Sequence, residues 1–86
     1  MGLEIVEMFI NFEEEFDISI PDEIASTLVT PRHVIDFLMN TEDAEEQAWS
    51  REDVAKRVWL RIRNGPGVKT EQFNEDSYFV EDMGLD

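Results

Sequence analysis

The sequence predicts an all-α fold: a small bundle of three main helices joined by short helical turns. Three observations predict it. Apolar residues recur in steps of three and four across Leu3–Phe16. Helix-start signals stand at Thr30-Pro31 and at Ser50. Breakers at Pro21 and at Gly65-Pro66-Gly67 divide the chain between and after these segments. With 86 residues, the chain makes one domain with a modest core.

The opening helix is expected over Leu3 to Phe16. Leu3, Val6, Phe9, Ile10, Phe12 and Phe16 form its apolar seam, and Glu4, Glu7, Glu13, Glu14 and Glu15 cover the polar side. Such a seam needs other helices to cover it. The first turn has little room for an N-cap and should fray, although Glu4 and Glu7 suit the helix dipole. Pro21 lacks an N–H and drives Ser19-Ile20 toward extended geometry, so the helix stops before it.

Asp17–Ile20 is then a short extended link. Pro21 starts a brief helical turn over Asp22–Thr27, with Ile24 and Leu28 pointing inward. Thr30 caps a second main helix that begins at Pro31 and runs to about Met39. Its apolar set is Val34, Ile35, Phe37 and Leu38, and Asn40 is its stop. His33 lies in its first turn and reads as a surface residue, because no cysteine or second histidine could complete a metal site.

Asn40–Trp49 (NTEDAEEQAW) is a polar, acidic connector, either a linker or a frayed helical extension. Ser50 opens the third main helix, with Asp53 completing a variant of the capping box. Val54, Val58, Leu60 and Ile62 are its apolar content, with Ala55 and Trp59. Lys56, Arg57, Arg61 and Arg63 crowd its C-terminal half, where the dipole favours cations. The remainder, Val68–Asp86, is a long loop anchored by Val68, Phe73, Tyr78, Phe79, Met83 and Leu85, with a turn over Ser77–Asp82. From Asn74 it has a superficial likeness to a calcium loop. The alternating acids break at Tyr78, and no glycine stands at the sixth position.

Charge narrows the function. There are 21 acids against 7 bases, a net charge of −14. Met1–Trp49 hold 13 of the acids and only one base, Arg32. Such a surface repels phosphate backbones and anionic membranes, and suits a basic protein partner. Acidity can also serve solubility alone. No apolar run approaches the roughly 20 residues of a membrane span. The N-terminus lacks the basic region of a signal peptide, and there is no cysteine, so the expected location is cytoplasmic. No nucleophile–base pair or glycine-rich phosphate loop is present, so no catalysis is expected.

The opening LEIVEMFINFEEEFDISIPDE, followed by VTPRHVIDFL, resembles the second half of an acyl carrier protein, the helix after the modified serine onward. REDVAKRVWLRIR is similar to that family's first helix. GVKTEQFNEDSYFVEDMGLD is similar to the loop that follows, with its Phe-x-x-Asp-x-Gly-Leu-Asp lead-in. The halves stand in swapped order: residues 1–40 match the family's second half, 41–49 connect, and 50–86 match its first half. The resemblance therefore implies a circularly permuted acyl-carrier-like bundle. Its first family helix would run antiparallel to the other two. The ten residues Asn40–Trp49, up to roughly 33 Å when extended, reach between them.

In the family, a serine between the Asp and Leu of this motif carries 4'-phosphopantetheine. Here Gly2 takes that position, flanked by Asp86 and Leu3, and glycine has no hydroxyl to esterify. Ser19, Ser26, Ser50 and Ser77 lie outside the motif. The resemblance thus implies no phosphopantetheine cofactor on this chain. It implies a non-catalytic interaction module of fatty-acid or related acyl metabolism, with room for an acyl chain in its interior. Glu7, Glu13 and Glu14 match acids that partner enzymes grip with basic residues, and Val6, Met8 and Ile10 match flanking apolar positions. Two alternatives remain open: an acidic inhibitor or immunity-type protein that blocks a basic partner, and a domain-swapped dimer of carrier halves.

Overall fold

The computed structural model describes residues 2–64 and 72–86, and among these it has five α-helices. These are α1 (Leu3–Phe16), α2 (Asp22–Ala25), α3 (Pro31–Met39), α4 (Glu42–Glu46) and α5 (Arg51–Asn64). No strand occurs among the described residues, so the fold is all-α. None of the helices described is long and apolar enough to cross a membrane. The expected breaker Gly65-Pro66-Gly67 and the anchor Val68 lie outside the described residues, as does Met1.

Capping explains most boundaries. α1 has no side-chain cap at Gly2 and ends at Asp17, which takes left-handed geometry (φ 53°) while Ile18 N–H donates to the Glu13 carbonyl. Glu13 also accepts the Ile20 amide at 2.8 Å, which holds the extended link to Pro21. The Thr30 hydroxyl accepts the His33 amide at 3.2 Å, with Pro31 in the first turn of α3. The Ser50 hydroxyl accepts the Asp53 amide at 3.1 Å and starts α5.

The acidic connector is neither a bare linker nor an extension of α3. Thr41 caps a separate short helix by accepting the Ala44 amide, and Ala44 is buried beneath it. Near Pro21, the helical turn is shorter than expected: α2 stops at Ala25 and Pro21 is its N-cap.

α5 is the central support: α3 and α1 both pack on it, while α4 packs on α3. The fully buried side chains include Met8, Phe12, Ile35, Leu38, Val58 and Ile62. The expected α1 seam is rotated. Ile5 and Met8 are buried, whereas Leu3 is 73% exposed, Ile10 45% and Val6 38%. Its covered stripe is Ile5, Met8, Phe9, Phe12 and Phe16, the side that meets α5 and the loop after it, and the other apolar residues lie on its flank. Leu60 is likewise exposed, because the α5 stripe runs through Val54, Val58 and Ile62 and Leu60 lies about 200° round from Val58. Of the two residues expected to point inward near α2, Leu28 is buried and Ile24 is partly exposed; Ala25 is buried as well.

One partly buried carboxylate fastens α1 to α5. Glu15 accepts from Arg57 Nε at 2.7 Å and from Arg61 Nε at 2.8 Å. The hydrogen bond from Arg61 and then that from Arg57 hold its carboxyl below the ordinary glutamate range. The Arg57 guanidinium also sits 4.4 Å above the Phe16 ring, which packs against Trp49.

Candidate functional site

Residues 72–86 cross the bundle and bring the sequence's last residues to its first helix. Arg32 and Arg51 grip them near the start. Arg32 forms a bidentate pair with Asp76 (2.7 and 3.1 Å), and Arg51 pairs with Glu75. The hydrogen bond from Arg51 holds the Glu75 carboxyl below its ordinary range, and Asp76 is lowered by Arg32. The Arg32 amide also donates to the Glu75 carbonyl at 2.9 Å. Phe79 is then buried edge-on to Phe9, with ring centroids 6.5 Å apart. The expected turn is present but shifted. The chain turns over 79–83, where Tyr78 O accepts from Asp82 and Met83, and Gly84 (φ 72°) supplies the left-handed step that lets Leu85 re-enter the core.

Asp86 therefore ends against the start of α1. Its carbonyl accepts the Ile5 amide at 3.0 Å, and its own amide donates to Glu4 Oε1 at 3.1 Å. The first of these bonds satisfies one of the α1 amides that a side-chain cap would hold, and the second ties Asp86 to the same turn. The expectation that the first turn lacks a cap of its own is correct, but sequence reasoning missed that Asp86 supplies one. The Asp86 carbonyl thus takes the place in the ladder that the residue four before Ile5, Met1, would fill; only with Met1 left out does the count Asp86, Gly2, Leu3, Glu4, Ile5 give the four-residue step of an α-helix. The next bond, Val6 N–H to the Gly2 carbonyl, continues the series at 3.1 Å. A Cβ on Gly2 would run into the Asp86 carbonyl carbon and oxygen, so this position has no space for a side chain.

An apolar cavity of about 170 Å³ opens beside this junction. Ile5, Phe9, Leu28, Val29, Phe79 and Leu85 are among its lining, with Gly2 and Asp86 at one edge. A larger groove, about 690 Å³, lies on the outer side of α5 beside Trp59. It holds none of the residues expected on a partner face. Its cations are largely matched by its own acids, since Arg51 pairs with Glu75 and Lys56 stands 4.0 Å from Glu52.

The six residues expected on a partner face separate into three groups. Glu7, Glu14, Val6 and Ile10 are exposed on α1. Leu3 extends that strip; like Val6 and Ile10 it belongs to the seam by periodicity, and its place on the flank depends on which side α5 and the tail cover, which periodicity alone does not give. Glu13 is half-buried and engaged by the Ile20 amide, so it also shapes the chain. Met8 is a correction: it is fully buried, facing α5, and presents nothing to a partner. Ser50 caps α5, the Ser77 hydroxyl accepts the Asn74 amide, and the Ser26 hydroxyl donates to the Glu23 carbonyl.

No protein-family model matches the sequence, and no solved structure matches the fold.

Proposed function

We propose that this chain is an acyl-carrier-like interaction module whose two halves are circularly permuted, and that it docks on basic surfaces of acyl-handling enzymes without carrying phosphopantetheine itself. The observation that supports this most is the bond from Ile5 N–H to the Asp86 carbonyl. The tail meets the head at the one place where the swapped order requires a join. Gly2 stands where the family has its serine and is pressed against Asp86.

Its recognition surface is the acidic, partly apolar flank of α1: Glu7 and Glu14 for charge, Leu3, Val6 and Ile10 for contact. Acids on an exposed helix add little to stability, which leaves them free to steer a basic partner. The apolar cavity has the lining of a short acyl-chain site. Incubation with coenzyme A and a phosphopantetheinyl transferase tests the missing tether; the expected mass is unchanged, and a stoichiometric gain means that another serine is the acceptor. Affinity capture tests the partner. Recovery of acyl-handling enzymes supports the proposal, whereas a single nuclease or toxin as the bound protein replaces it with an inhibitor.

A further inference from the structure

We propose that His33 is a proton-operated latch on Val29, a residue that lines the apolar cavity. The Val29 amide donates to His33 Nδ1 at 3.3 Å, which requires the ring's lone pair at Nδ1 and its proton at Nε2. The Val29 carbonyl in turn accepts the Phe79 amide at 3.0 Å. Val29 and Phe79 both line the cavity, as does Val80 beside them. One neutral imidazole thus holds the α2–α3 loop in the position from which its Val29 carbonyl holds the Phe79 amide.

Imidazole is the side chain whose charge ordinarily changes between about pH 5 and 8. Once protonated, both its nitrogens are donors, and Nδ1 faces the Val29 N–H with nothing to accept it. The charged ring also has a competing partner, because Asp76 lies within electrostatic reach. The charged groups around it come from two elements. The tail brings Asp76 and Glu75, both engaged by Arg32, and α3 itself brings Arg32 and Asp36. Residues 26–30 carry no titratable side chain, and α2 has its acids, Asp22 and Glu23, in its first turn, ahead of the loop. Acid therefore releases Val29 and offers the ring an acidic neighbour, and the cavity lining at Val29 loosens. The latch rests on the cavity and the loop alone, so it stands or falls independently of the carrier reading.

Amide hydrogen exchange, corrected for the intrinsic rate at each pH, tests this in the intact protein at pH 7.5 and 5.0. Val34, buried within α3, is the internal reference for global opening. Protection at Val29 is expected to fall about five-fold more than at Val34, the worth of one neutral hydrogen bond, with Phe79 following it. In His33→Asn, Oδ1 occupies the Nδ1 position and accepts at every pH, so this excess loss is expected to disappear. Equal changes at Val29 and Val34, or the same excess loss in His33→Asn, would overturn the latch.

Discussion

The Asp86 carbonyl and the Ile5 amide, 81 positions apart in the numbering, are joined by a 3.0 Å hydrogen bond. Helix α1 has no cap of its own, and the far end of the sequence provides one. Substituting Gly2 should expose this dependence. In Gly2→Ala the added methyl meets the backbone of Asp86, not a flexible side chain, so the tail must shift. A loss of about 1–3 kcal/mol is expected in urea unfolding, together with weaker protection of the Ile5 amide.

The same end of the chain carries core volume. Phe79 is 2% exposed and packs on Phe9. Phe79→Ala should destabilise by about 3–5 kcal/mol, a large share of the stability of so small a domain. Tyr78→Ala, next in sequence but exposed, should stay within about 0.5 kcal/mol. Denaturant midpoints of the two variants check the contrast.

Glu15 gives stability a dependence on pH. Its folded carboxyl titrates below the ordinary range because Arg61 and Arg57 hydrogen-bond it. The unfolded chain binds that proton at higher pH than the folded one. The stabilisation is thus complete above the ordinary glutamate range and is lost as pH falls through the lowered folded value. Glu15→Gln should cost about 1–2 kcal/mol at neutral pH, discounted for partial exposure, and progressively less in acid. Unfolding curves of both proteins from neutral pH into the acid range measure the difference.

The exposed flank of α1 should affect binding and spare the fold. Glu7→Lys with Glu14→Lys reverses charge at two solvent-facing positions. Binding to a basic partner should slow in association and show a weaker salt dependence, while the denaturant midpoint moves little. Stopped-flow association at two ionic strengths separates these effects.

Much of this was legible in the sequence. Thr30-Pro31 and Ser50 marked helix starts because capping is local chemistry, and the caps form where those residues stand. The periodicity of α1 gave its length but not its rotation. Leu3, Val6 and Ile10 are as apolar as Ile5 and Met8, and only the positions of α5 and the tail decide which set is covered. Helix α4 was open between two readings because its cap, Thr41, sits in a run of acids without an apolar stripe. At the site, Gly2 and Asp86 could be paired only through the resemblance, which reads the two halves in reversed order. The Val29–His33 bond left no trace in the sequence, since any surface histidine looks alike.

Restoring the family order is the most direct test of the proposed permutation. The variant joins Asp86 to residue 2 without Met1, carries Gly2→Ser, and opens the chain between the exposed residues Gln47 and Ala48. The account predicts a cooperatively folded helical protein that gains one phosphopantetheine group from coenzyme A under a phosphopantetheinyl transferase, while the unaltered chain gains none. A rejoined protein that folds but stays unmodified, or that fails to fold at all, would contradict it.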